Sequence, residues 1–66
     1  SPGGRIDRSA ADEQFGAYRA RVEAEPESWR AWYLLAFAYD ASGDRKRARS
    51  SLRTAAGFYR AEQRAR

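Results

Sequence analysis

The sequence predicts an all-α protein built from three antiparallel helices. Apolar residues recur at spacings of three and four residues in three separate stretches, as they do on one face of an α-helix. Pro26 and the pair Gly43-Asp44 interrupt this pattern at two points, and both are typical of helix boundaries. Because the connections between the stretches are short, neighbouring helices should run antiparallel.

The first helix is predicted from about Ser9 to Ala24. Ser9 is a good N-cap, since its hydroxyl can accept a hydrogen bond from a free amide of the first turn. Phe15, Tyr18 and Val22 follow at helical spacing and share one face. The 66-residue chain is long enough for one small domain, which we place at residues 9–64. Residues 1–8, which open on Ser-Pro-Gly-Gly, are predicted to be a flexible linker or a cloning remnant, and residues 65–66 a frayed C terminus.

The second helix is predicted from about Glu27 to Ala41, with Pro26 and Ser28 as alternative start signals. It carries two apolar stripes rotated around the axis. The first stripe is Trp32, Leu35, Ala36 and Tyr39, and the second is Trp29, Tyr33 and Phe37. A helix with two apolar stripes is either buried on both sides or binds something.

The third helix is predicted from about Arg45 towards Gln63. Gly43 suits the left-handed position that ends a helix, and Asp44 suits the N-cap of the next one. Its inner face should be Ala48, Leu52, Ala55 and Tyr59. We therefore expect a contact between the second and third helices formed by Trp32, Leu35, Tyr39, Ala48, Leu52 and Ala55, with Phe15, Tyr18 and Val22 packing from the first helix.

Positive charge is concentrated in the third helix. Residues 44–66 contain eight basic and two acidic residues, a net charge of +6, whereas residues 1–43 have a net charge of −2. Such a helix can meet nucleic acid, an anionic membrane surface or an acidic protein, or it can be a solvated face. The candidate patch for an anionic partner is Arg45, Lys46, Arg47, Arg49 and Arg53.

The residue types present give little support for a catalytic function. The sequence contains no His and no Cys, the most versatile bases, nucleophiles and zinc ligands. We expect a protein that is not an enzyme, with no catalytic residues, metal, cofactor or small-molecule substrate.

The longest apolar run, residues 31–39, is far shorter than the roughly 20 residues of a membrane helix. A cytoplasmic protein, or a cytoplasm-facing part of a larger one, is therefore expected.

A set of residues in the second and third helices falls in the register of a known repeat. The set is Trp32, Leu35, Ala36, Tyr39, Gly43, Asp44, Ala48, Leu52 and Ala55, with Pro26 before it. This pattern resembles one tetratricopeptide repeat (TPR), a helix-turn-helix unit of about 34 residues. The resemblance covers roughly residues 26–59. It departs at Arg60, where a proline would close the repeat, and at Ala36, where glycine is common.

The resemblance implies a TPR-like unit with one preceding helix, acting as a protein-binding scaffold or adaptor; a generic three-helix bundle is the alternative fold. In TPR arrays the first helix of each repeat lines the surface that receives the partner, and the matching positions are Arg30, Tyr33, Phe37 and Asp40. We expect a hydrophobic or aromatic-bearing segment, from another copy or a larger complex, to dock on Tyr33 and Phe37. The alternatives are that the first helix covers both rings, or that the chain is a small basic module for nucleic acid or an anionic membrane.

Overall fold

The computed structural model describes residues 8–66, with side chains from residue 12 onward. Three α-helices make up this part of the chain: α1 (Arg8–Ala24), α2 (Trp29–Ala41) and α3 (Arg45–Ala65). No strand occurs within residues 8–66, so the all-α prediction is confirmed. The predicted linker lies outside the described residues except for Arg8, which begins α1.

The helix boundaries agree with the predicted ones to within about two residues. At the start of α1 the predicted cap is wrong, because Ser9 lies inside the helix and not before it. At the far end α3 continues to Ala65, beyond the predicted Gln63. Such differences are expected, since local capping signals place helix ends only to within a residue or two.

The turn between α1 and α2 is fixed by two side-chain hydrogen bonds. The Ser28 hydroxyl accepts from the backbone N–H of Ala31 at 3.3 Å, which makes Ser28 the N-cap of α2. The indole N–H of Trp32 donates to the carbonyl oxygen of Pro26 at 2.7 Å. Trp32 therefore ties the α1–α2 turn to the first turns of α2.

The turn between α2 and α3 follows the predicted chemistry. Gly43 has a φ of +87°, the left-handed conformation that other residues adopt only with strain. The backbone N–H of Asp44 donates to the carbonyl oxygen of Tyr39 at 2.9 Å and closes the end of α2. The Asp44 carboxylate then accepts from the backbone N–H of Arg47 at 3.1 Å, as the N-cap of α3.

One apolar cluster joins α1 to α2. Its buried members are Val22, Ala31 and Leu35, and partly buried rings pack around them: Phe15, Tyr18, Trp32 and Tyr39. The rings of Phe15 and Tyr39 meet edge to face, with their centroids 5.0 Å apart. Since Phe15 precedes Val22 in α1 while Tyr39 follows Leu35 in α2, the two helices run antiparallel. The predicted packing of Phe15, Tyr18 and Val22 from α1 is confirmed. The prediction that Trp32, Leu35 and Tyr39 form the contact with α3 is wrong in this respect, because they belong to a cluster whose members all come from α1 and α2.

A seam of small residues joins α2 to α3. Ala36 of α2 and Ala48, Ser51 and Ala55 of α3 are all at most 5% exposed. Small side chains let two helix backbones approach closely, which is the physical role expected for these alanines. At the far end of the seam the Trp29 and Tyr59 rings meet at right angles, 5.2 Å apart.

Leu52 is the clearest departure from the predicted core. It is 44% exposed, and Tyr59 is 45% exposed, although both were expected on the inner face of α3. Ser51, one position earlier, is 5% exposed and takes the buried place. The reason is the small-residue seam: Ala48, Ser51 and Ala55 fit a close approach of α2, which rotates Leu52 about 100° to the side.

The three helices form an open row with α2 in the middle. Within the described residues α2 contacts both neighbours, whereas α1 and α3 do not contact each other. A closed three-helix bundle would bring each helix against two others, so the generic bundle alternative does not describe this arrangement. The open row leaves one side of α2 without a covering helix.

Candidate partner-binding groove

The uncovered side of α2 borders a groove with a volume of 360 Å³, which we call the α2–α3 groove. It is lined from α2 by Tyr33, Ala36, Phe37 and Asp40, and from α3 by Arg45, Ala48, Arg49 and Leu52. The residues of each set recur at the spacing of one helix face, so one stripe of α2 lies opposite one stripe of α3 across the groove. Two buried alanines of the seam, Ala36 and Ala48, are among its lining residues.

The groove exposes large apolar side chains. Tyr33 is 51% exposed, Phe37 67% and Leu52 44%. These three residues line one depression, so their side chains form one contiguous apolar patch. The alternative that the first helix covers both rings is wrong for the described residues, because each ring keeps more than half of its surface exposed beside α1. Contiguous exposed apolar surface of this kind is typical of interaction sites.

Phe37 belongs to a second groove as well. This α1–α2 groove, with a volume of 210 Å³, is lined by Asp12, Gln14, Phe15, Tyr18, Phe37, Ala38, Ala41 and Ser42. Phe37 therefore lines both depressions. An incoming side chain that packs on this ring can enter from either groove.

The structure brings together three of the four residues predicted for partner binding. Tyr33, Phe37 and Asp40 line the α2–α3 groove. Arg30 does not line it: the Arg30 guanidinium lies 4.4 Å from the centre of the Trp29 ring, in a cation–π contact. Trp29 is thereby enclosed between Arg30 and Tyr59, and its buried indole N–H has no acceptor among the described residues.

The five residues of the predicted basic patch point in different directions around α3. Arg45 and Arg49 line the groove, and Arg53 lines an adjoining shallow depression together with Arg49, Leu52 and Ala56. Arg47 turns back to Asp44, with its guanidinium 2.7 Å from the carboxylate. Lys46 is exposed and lines none of these depressions. Thus the Arg45-Lys46-Arg47 run is not one surface, whereas Arg45, Arg49 and Arg53 form one row.

The first turn of α3 places positive charge where the helix dipole disfavours it. Asp44 offsets part of this effect. The hydrogen bond from the Arg47 side chain, together with the one from the Arg47 backbone N–H, lowers the pKa of the Asp44 carboxyl below its ordinary value. The same contact with Asp44 raises the pKa of Arg47. This capping pair is therefore ionised at neutral pH.

The groove is also lined by Leu52, Ala36 and Ala48, which were not predicted from the sequence to face a partner. A signal was present, because Arg45, Arg49 and Leu52 repeat on α3 the helical spacing that Tyr33, Phe37 and Asp40 have on α2. That the two stripes face the same depression follows only from how α2 and α3 pack. Neither stripe alone indicates a groove.

Comparisons with protein-family models, with curated proteins and with solved structures find no match to this chain. The resemblance to a TPR unit therefore stays a prediction from the sequence. Among the described residues, no helix is both long and apolar enough to cross a bilayer. The same residues hold no group of three or more acidic side chains placed to bind a metal ion.

Proposed function

We propose that this chain is a TPR-like protein-interaction module without catalytic activity, which docks a segment of a partner protein in the α2–α3 groove. The partner is a larger protein or another copy of the chain, and the expected setting is the cytoplasm. The observation that carries this proposal is the exposure of Phe37, at 67%, beside Tyr33 and Leu52. Burying one such ring contributes about 1.5–3 kcal/mol, which a docked partner would gain.

The TPR-like part of the proposal is supported by packing. The positions where the repeat pattern has small residues, Ala36, Ala48 and Ala55, are buried in the α2–α3 seam. The open row of helices supports stacking of units in one direction, as in repeat proteins. A single unit of this kind leaves one face uncovered, because each repeat normally buries that face against its neighbour.

The test is the double substitution Tyr33→Ser and Phe37→Ser. Self-association is measured by sedimentation, and binding of a neutral amphipathic helical peptide with one Leu anchor by fluorescence anisotropy. A residue that acts as an interface anchor contributes about 2 kcal/mol or more, so affinity should fall at least about 30-fold if one of the two rings is an anchor and more if both are. Helicity by circular dichroism should persist, because both rings are largely exposed.

The matched control is Tyr59→Ser. Tyr59 has an exposure of 45%, similar to that of Tyr33, but lies outside both grooves. It should lower thermal stability through its lost contact with Trp29 and leave binding unchanged. Unfolding of the Tyr33/Phe37 variant would show that these rings are core. Unchanged association in a folded variant would show that the groove docks nothing.

A further inference from the structure

The positive charges around the α2–α3 groove lie on its α3 side. Arg45, Arg49 and Arg53 lie four residues apart along α3, which places them in a row with about 6 Å between successive positions. The α2 wall contributes a single charge, Asp40. Leu52 lies within the arginine row, and Phe37 faces it from α2. The groove therefore combines an apolar centre with a cationic wall.

The arginines of this row have no partner within the described part of the chain. The ion pairs there join Arg21 to Glu25, Arg47 to Asp44 and Arg66 to Glu62. Asp40 is likewise outside these pairs, although it lines the same groove as Arg45. Three guanidinium groups are thus available to carboxylates from outside, while Arg47 is already engaged.

A second copy of the chain fits this surface poorly. The groove face of a second copy offers the carboxylate of Asp40 alone to the arginine row, and two copies would each bring a net charge of +4. Nucleic acid would satisfy the arginines but leave the Phe37 and Leu52 side chains without an apolar partner. A protein segment that carries both carboxylates and an apolar side chain satisfies both features.

A helix is the conformation that suits this groove. The groove lies between two packed helices, and side-chain ridges of a third helix fit between such helices. Carboxylates spaced by four residues on a helix are about 6 Å apart along its axis, which matches the arginine row. Residues 8–66 offer no strand edge to which an extended peptide could add backbone hydrogen bonds.

We propose that the α2–α3 groove binds an acidic amphipathic helix of another protein. One bulky apolar side chain of that helix packs between Phe37 and Leu52. Carboxylates one turn apart on one flank pair with Arg45, Arg49 and Arg53, and a basic residue on the other flank faces Asp40. This inference rests on the proposed function and adds the chemistry of the partner.

The experiment uses the full chain and three synthetic helical peptides of five turns, roughly 18 residues. The first carries a Leu anchor with Glu on one flank at four-residue spacing and Lys on the other. The second replaces every Glu of the first by Lys, so that neither direction of binding offers a carboxylate to the arginine row, and the third replaces the anchor of the first by Ala. Fluorescence anisotropy should show the first peptide binding at least tenfold more tightly than either of the others.

The charge preference is tested by the variant Arg45→Glu with Arg49→Glu. Both residues are exposed, so the fold should persist, and circular dichroism checks this. The variant should bind the second peptide better than the first. The matched control, Lys46→Glu with Arg64→Glu, changes the net charge equally away from the groove and should retain the preference for the first peptide.

Each contrary result is distinguishable from failure of the proposed function. Equal binding of the first two peptides overturns the acidic-partner inference and leaves apolar docking in place. Self-association through Phe37 without peptide binding identifies a second copy as occupant and also overturns it. Tight, salt-sensitive binding of a mixed-sequence DNA duplex that needs Arg45 and Arg49 but not Phe37 overturns both proposals.

Discussion

Two leucines in adjacent helices should respond very differently to the same substitution. Leu35 is 5% exposed at the centre of the α1–α2 cluster, whereas Leu52 is 44% exposed at the groove. Leu35→Ala should lower the free energy of unfolding by about 2–5 kcal/mol, the range for a buried leucine. Leu52 is only about half buried, so Leu52→Ala should cost about 1 kcal/mol, roughly half the transfer free energy of the removed atoms.

Urea unfolding followed by circular dichroism measures both changes. A chain of this size has a net stability of at most about 3–5 kcal/mol, so Leu35→Ala is expected to unfold at a much lower urea concentration than the parent chain. Leu52→Ala should remain folded and should weaken binding of the Leu-anchored acidic peptide. An equal or larger loss of stability for Leu52→Ala would refute the assignment of Leu52 to an open groove. A loss that grows with protein concentration would show that another copy covers it.

Three further substitutions test the backbone and the cap. Gly57→Ala should raise stability by about 0.5–1 kcal/mol in thermal melts, because the added methyl group would meet no atom within 4 Å apart from the adjacent residues and backbone of its own helix. Gly43→Ala, at a φ of +87°, should lower stability by about 1–2 kcal/mol in the same melts. The pKa of the Asp44 carboxyl is lower in the folded chain than in the unfolded chain. Asp44 therefore contributes stability that is fully present above a pH of about 4 and is lost as the pH falls through the folded-state pKa. Asp44→Asn keeps an acceptor at the cap without the charge, so its stability should fall less steeply on acidification than that of the parent chain. Equal acid dependence of the two proteins would contradict this role for Asp44.

The helix boundaries could be predicted because their signals are local. Ser28, Gly43 and Asp44 act on backbone groups within five residues of themselves, so the sequence around each position contains the whole interaction. The same holds for the apolar face of α1. Phe15, Tyr18 and Val22 are its only large apolar series at helical spacing, and no alternative rotation competes with it.

The rotation of α3 could not be predicted in the same way. Ser51 and Leu52 are both at helical spacing from Ala48 and Ala55, and hydropathy favours the leucine as the buried residue. Packing decides otherwise, because α2 and α3 approach along small side chains and the larger leucine lies beside the seam. The position of the groove depends on this choice, so Leu52 could be recognised as a lining residue only from the packed structure.

The same packing explains why docking and folding should be coupled in this chain. The α2–α3 seam is made of alanines and a serine, which bury little apolar area each, while the larger side chains Tyr33, Phe37 and Leu52 remain at the surface. The folded chain alone thus leaves a substantial part of its large apolar side-chain surface in contact with water. A partner that occupies the groove adds this burial only to the folded chain and stabilises it by mass action, about 2.7 kcal/mol at a concentration one hundred times the Kd. For a domain whose own stability is of similar size, occupancy of the groove would then govern how much of the chain is folded.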